Sequence, residues 1–242
     1  MKSWAFLVLA ASVSAIPLDI PAGRLHKRAP ARQHIGYRVV SKVRPPTPYP
    51  LRSPPATNYP IQNEADAIHA NGGKAVQSVG SMGRQLGPGT YISPRFQGFP
   101  EYDPSKGIPW DCVVTVDADV WDGWKKAWVP RLFEFPEDRE NNPDKCKPLI
   151  LWTPRWRANR ARFLTFLDEG LTPDNTVLFS KMAGHEEKTQ PLIPPPIIDT
   201  GEVYLAQCAE RETEANTQIG EMGTVDWGVE NMPGWGLGSD AA

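Results

Sequence analysis

Apolar runs are short in this 242-residue chain. The most hydrophobic stretch, residues 4–11, falls well below the roughly 20 residues that a bilayer-crossing helix needs, so no membrane span is expected. Histidine and cysteine are scarce, at 4 and 3 residues, and neither falls at metal-ligand spacing, which argues against a metal centre. An excess of charge is missing too. With 26 basic and 28 acidic side chains the formal net charge is −2, whereas a nucleic-acid binder is expected to be strongly basic. The sequence also lacks a phosphate loop, a dinucleotide glycine fingerprint, an HExxH helix and an EF-hand loop. No Ser-His-Asp or Cys-His arrangement is visible, and His34, His69 and His185 read as structural.

What is present points to export. Lys2, the apolar stretch and Val13-Ser14-Ala15 have the order of a secretory leader over residues 1–15. Lys27-Arg28 then reads as a dibasic processing site closing a propeptide over 16–28, with the mature chain beginning near Ala29. The plainer reading is a flexible N-terminus with a chance Lys-Arg pair. A secreted, extracellular protein of one domain is expected, acting as a monomer. Twenty-six prolines imply long loops, and nine tryptophans imply a core or cleft rich in aromatic surface.

Three cysteines in an exported chain imply one disulfide and one thiol left over. Cys112 opens the strand-like "CVVTV" and Cys208 ends the strand-like "VYLAQC", so neighbouring strands would bring them to bridging distance. Closing so long a loop would contribute about 4 kcal/mol by chain-entropy reasoning. Cys146, in the polar loop "NNPDKCKP", is the odd thiol.

Periodicity gives the elements. "HIGYRVVS" (34–41) reads as a strand, followed by a proline-rich excursion over 44–60 that cannot lie inside a sheet. "NEADAIHANGG" (63–73) reads as a helix capped by Asn63 and closed by Gly72. "GTYIS" and "WDCVVTVDA" are strands, and "DGWKKAWVP" reads as a helical turn before another. "PLILWT" (148–153) is a buried strand, and residues 154–170 form the best helix, with Phe163, Phe166 and Leu167 on one face and Gly170 as terminator. "NTVLFSKMA" and "GEVYLAQC" follow as strands. From residue 209 the chain turns acidic, Gly-rich and unpatterned, which predicts a disordered tail over 209–242, with Trp227 and Trp235 as a small docking patch. The sum is an α+β protein, a mostly antiparallel sheet core over 29–208 with a few helices and long Pro-rich loops.

Candidate ligand residues each have a plain alternative. Arg38 inside an apolar strand either binds a pyrophosphate or carboxylate through its planar fork, or emerges at a sheet edge. In "RQLGPGTYIS", Gly89 allows close backbone approach and Tyr91 could stack on a flat ring, yet Gly-Pro-Gly is also a common turn. Arg155, Arg157, Arg160 and Arg162 read as a solvated helix face.

Taken in order, these fragments resemble the ADP-ribosyltransferase superfamily, and more nearly secreted fungal proteins similar to the heat-labile enterotoxin catalytic chain. The aromatic-Arg strand matches Tyr37-Arg38, the glycine-ended helix "EADAIHANGG", the Gly-x-Gly-x-Tyr strand "GPGTYIS" and the Leu-Ile-Pro-Pro strand "QPLIPPP". The resemblance implies a split antiparallel sheet, NAD⁺ as substrate and transfer of ADP-ribose to a protein target in another organism. NAD⁺ glycohydrolysis and a catalytically silent binding module of the same fold are the alternatives. It implies that Arg38 binds phosphate or ribose, that Tyr91 and Gly89 hold nicotinamide, and that Ser81, in "SVGS", supports the site. The family's catalytic glutamate falls at Gln190, whose amide offers only a dipole to a cationic transition state and should lower the rate about 10²–10³-fold. Gln190 could still hold the ribose hydroxyls, and Glu186, Glu187 or Glu202 could supply the missing charge, Glu187 being the carboxylate expected at the site beside Gln190.

Overall fold

The structure, a computed structural model, describes residues 31–42, 68, 70–75, 85–99 and 108–240. The leader, the propeptide, the proline-rich excursion and Ser81 lie outside the described residues. Of the helix expected over 63–73, residues 68 and 70 are helical and 71–73 form its closing turn.

Three sheets carry the fold. The first is antiparallel, with β3 (Ile108–Asp117) between β1 (Arg32–Lys42) and β9 (Val203–Glu210). The second runs in the order β2 (Thr90–Tyr91), β8 (His185–Ile193), β7 (Thr176–Met182), β4 (Lys125–Trp128). Its β4–β7 pair is parallel, so the core is not wholly antiparallel. A parallel pair needs a long crossover. Here it runs through β5 (Leu132–Phe133) and β6 (Leu149–Ile150), which pair as a small third sheet.

The apolar alternation of the strands sets the layers. Val114 and Val116 of β3, Val203 and Leu205 of β9, and Val177, Phe179 and Ile193 of the second sheet form one core between the two large sheets. Alternate residues of the second sheet, Ala127, Leu178 and Leu192, turn the other way and pack with Phe163 and Leu164 of a helix, Arg157–Leu167. On the outer face of the first sheet, Tyr37 and Val113 pack with Ile219 of a short helix, Glu214–Gly220. A register shift at Gly36 puts Ile35 and Tyr37 on opposite sides of β1 although both are odd-numbered. Gly36 has φ 149°, and a Cβ there would meet the Ser93 carbonyl oxygen at 2.7 Å. That close approach lets Tyr37 and Ser93 exchange two backbone hydrogen bonds of 2.8 Å, which tie the two large sheets together.

Several expectations hold and several need correction. Cys112 and Cys208 face each other in register and form the expected disulfide, while Cys146 is not bridged. "PLILWT" is a strand only at Leu149–Ile150, because Thr153 takes a positive φ of 86° that turns the chain into a 3-10 turn at Pro154–Trp156. The following helix stops at Leu167, where the Asp168 carboxylate accepts from the Gly170 amide at 2.6 Å and ends it before the glycine. The arginines of this helix are not a uniform solvated face. Arg162 forks onto Glu137 and Asp138 and lies over the Phe135 ring, and Arg157 pairs with Asp174. Arg160 is 1% exposed.

The tail needs the largest correction. Residues 209–240 are ordered parts of the fold rather than a disordered extension. Asn216 donates to the buried Asp111, which also receives a fork from Arg211. Trp227 packs on the inter-sheet core, and Leu132 and Ser239 exchange backbone hydrogen bonds of 2.8 and 2.9 Å. Composition missed this because glycines and acids here serve tight turns and buried polar pairs. Gly234 and Gly238, for example, take positive φ against the carbonyls of Trp128 and Leu132.

Candidate functional site

The expected ligand residues separate onto two faces of one sheet. Arg38 is 5% exposed, and its Nη1 donates to the Thr90 hydroxyl at 2.7 Å. Arg38 and Val40 share a side of β1, and Val40 belongs to the inter-sheet core, so Arg38 points between the sheets. Thr90 and Tyr91 are consecutive in β2, hence on opposite faces, and Tyr91 belongs to the core beneath the Arg157–Leu167 helix.

Tyr91 is therefore a packing residue. Its hydroxyl donates to the Gly87 carbonyl at 3.0 Å and accepts from the Leu86 amide at 2.8 Å, which closes the Gly-Pro-Gly turn onto the ring. Gly89 has φ 140°, and a Cβ there would fall on the Ile193 carbonyl oxygen and the Leu192 side chain. The close approach that glycine permits here is to β8.

Gln190 shares the Tyr91 face. It is 4% exposed and donates to Gln85 Oε1 at 3.2 Å. Gln85 in turn donates to the Ser180 hydroxyl and the Lys181 carbonyl and accepts from the Ala183 amide. These bonds fasten the 85–89 loop to β7 and β8. Arg160 completes the buried polar layer, its Nη1 donating to the carbonyls of Leu151 at 2.7 Å and Thr153 at 2.6 Å. Among the described residues no carboxylate pairs with it, and burial pushes its pKa down to about 10, still charged at neutral pH. These groups are buried and bonded to the backbone and to one another, so the layer organises the loop.

Along β8 the opposite face carries different chemistry. Thr189 shares the alternation of Ile193, whose side chain lies in the inter-sheet core, and Glu187 lies beyond the register shift that ends the regular β7–β8 pairing at Thr189. Both line a cavity of about 330 Å³ with Ser93, Arg95, Lys188, Asp226 and Trp227. That volume is at the low end for small-molecule pockets. Its lining comes from the loop after β2, from β8 and from the C-terminal segment. The Glu187 side chain is 68% exposed and lies 3.8 Å from His185 Nδ1. Trp227 is fixed by an Nε1 bond of 2.9 Å to the Ile35 carbonyl and by an edge contact with Phe179 at 5.4 Å. Two cationic side chains, two carboxylates, buried Ser93 and an indole thus converge on one cavity.

Of these residues the sequence points to Glu187 as a site carboxylate. It does not point to Arg95, Asp226 or the place of Trp227. Only the tail's tryptophans could have signalled the last, since an exposed indole is costly for a segment with no structure to cover it.

A second cavity, of about 450 Å³, runs along β9 between Trp110 and Ile219. Of the expected site residues only Cys208, a disulfide partner, lines it among the described residues. Among the described residues no group of three or more His, Cys, Asp or Glu stands where it could hold a metal ion, and no helix is long and apolar enough to cross a membrane.

A family of unknown function, DUF5910, matches residues 84–236, more than half of the chain. No curated protein and no solved structure matches.

Proposed function

We propose that this chain, which belongs to the DUF5910 family of unknown function, is a secreted, effector-like protein that binds NAD⁺ at the β2–β8 cavity and transfers its ADP-ribose to a protein target. The fold is read as the ADP-ribosyltransferase type. The observation that carries this reading is the cavity's composition: Glu187 beside Arg95, Lys188 and the Trp227 ring. Guanidinium and ammonium groups suit a pyrophosphate, the indole suits a planar base, and a carboxylate suits ribose hydroxyls. Glu187 then takes the part that the sequence resemblance gave to Gln190. A carboxylate there stabilises the cation that develops as the glycosidic bond to nicotinamide breaks, whereas Gln190 is buried and its amide is bonded to Gln85. The disulfide supports export, since such bridges persist in oxidising compartments.

A second reading is favoured by the exposure of Glu187. A carboxylate left this open in water gives weak electrostatic stabilisation, which fits a module that holds NAD⁺ without cleaving it.

The test is calorimetry with NAD⁺ together with an assay of released nicotinamide, on the wild-type chain and on Arg95→Ala and Glu187→Gln. The transferase reading expects binding that weakens with Arg95→Ala. It also expects release that falls about 10²-fold with Glu187→Gln. Binding without release selects the module, and no binding at all overturns both.

A further inference from the structure

β9 is an edge strand, flanked by β3 on one side and covered on the other for only part of its length. The Ala75 amide donates to the Val203 carbonyl at 2.8 Å, and the Leu205 amide donates to the Gly73 carbonyl at 2.7 Å. This short row runs antiparallel to β9, with Lys74 opposite Tyr204. Two features end it. Gly72 and Gly73, at φ 65° and 81°, turn the covering chain away, and a register shift leaves Ala206 as an extra residue between Leu205 and Gln207.

Past that bulge a second row begins. The Arg211 amide donates to the Pro109 carbonyl, so Arg211 and Ala209 face β3. By alternation Cys208 and Glu210 turn their backbone groups to the open side. The Glu210 carbonyl accepts from the Thr213 amide. Among the described residues, no strand stands across from the Cys208 amide and carbonyl or the Glu210 amide. Sheet edges are commonly guarded by lysine or proline, and residues 206–209 here read Ala-Gln-Cys-Ala.

The cavity of about 450 Å³ follows this row. Trp110, Ile68 and Leu205 line it from the face of the inter-sheet core, and Ala209 and Ile219 line it from the outer face. Gln207 and Gln218 add neutral amides, and among the described lining residues none is charged. Open backbone groups with apolar surface on both faces suit a strand-shaped ligand, whose side chains alternate between those faces. Pairing with β9 of a second copy would bring two Glu214–Gly220 helices together at the edge, since Ala215 and Gln218 stand beside it. A single extended segment meets no such obstacle.

We propose that the 207–210 edge docks an extended, uncharged peptide segment of a partner protein, which adds a strand to the first sheet antiparallel to β9. Its side chains fall alternately against Trp110 and against Ala215. The Cys208 amide and carbonyl hold its backbone. This docking does not depend on the NAD⁺ reading and uses a separate cavity.

The experiment selects short random peptides, displayed on phage, against the full chain. Selected peptides are then tested on Ala215→Lys, a change at an exposed helix residue that puts a charged side chain into the cavity. Gln218→Lys, also exposed, serves if Ala215→Lys does not fold. The proposal expects selected peptides to be uncharged with apolar residues at alternate positions, and to bind the variant at least about tenfold more weakly. In the complex, amide hydrogen exchange slows at Cys208 and is unchanged at Leu178 and Leu192 of the second sheet. Methylating alternate backbone nitrogens of the peptide abolishes binding, because an added strand pairs through its amides and an apolar plug does not. Failure to select any peptide overturns the proposal, as does equal binding to the variant or by the methylated peptide. A wild-type dimer in sedimentation that becomes monomeric with Ala215→Lys gives the edge to a second copy and overturns it too.

Discussion

The Arg38 guanidinium bonds the Thr90 hydroxyl across 2.7 Å, while Tyr91, the next residue, buries its ring on the other face of the same sheet. One step along a strand therefore divides the arginine from the tyrosine that sequence order had joined. On β8 a register shift beyond Thr189 divides Gln190, bonded to Gln85, from Glu187 and Lys188, which line the cavity.

Gln190→Glu, which would recreate a carboxylate at the resemblance's expected place, should lower stability by about 3 kcal/mol without raising nicotinamide release. The new charge would be sealed against Gln85 Oε1, itself an acceptor. Urea unfolding checks the first half and the release assay the second. A gain in release would return the catalytic role to position 190.

Gly89→Ala and Gly184→Ala separate backbone strain from steric conflict. Both glycines have positive φ, but a Cβ at 184 meets open space while one at 89 meets the β8 backbone. The expected losses are about 1 kcal/mol at 184 and about 3 kcal/mol or more at 89. Equal denaturant midpoints for the two variants would refute the close-approach account of the Gly-Pro-Gly turn.

Removing the bridge through Cys112→Ser with Cys208→Ser should cost about 4 kcal/mol, because the residues lie 96 apart in sequence. Thermal melts should show wild type falling towards the double variant when reductant is added, and the variant indifferent to reductant.

Burial lowers the pKa of His34, which donates to the Gly36 carbonyl and packs edge-on against Tyr37. A lowered folded value means that the unfolded chain takes up the proton first. The contribution is therefore complete above the ordinary value of 6.5 and is lost as pH falls below it towards the folded value. Stability should decline between pH 7 and pH 5, and His34→Gln should flatten that slope in urea titrations at several pH values.

Strands were legible wherever β-branched residues alternate with polar ones, as in 108–117 and 203–210, and the disulfide followed from placing one cysteine in each. The tail was not legible. Its order comes from contacts with Ile35, Phe179, Trp128 and Leu132, all far away in sequence, and local composition carries no record of them. Arg160 was misread for a related reason, since its helix position is amphipathic by spacing, but its partners are carbonyls at the chain's turn into that helix.

Sequence alone determined the α+β class, the pairing of Cys112 with Cys208 and the residues that could serve a ligand, because periodicity and residue chemistry are local properties. Tertiary structure decided which of those residues share a cavity. Sheet alternation sealed Tyr91 and Gln190 into a core, and the returning C-terminal segment brought Asp226 and Trp227 across to meet Glu187, Arg95 and Lys188.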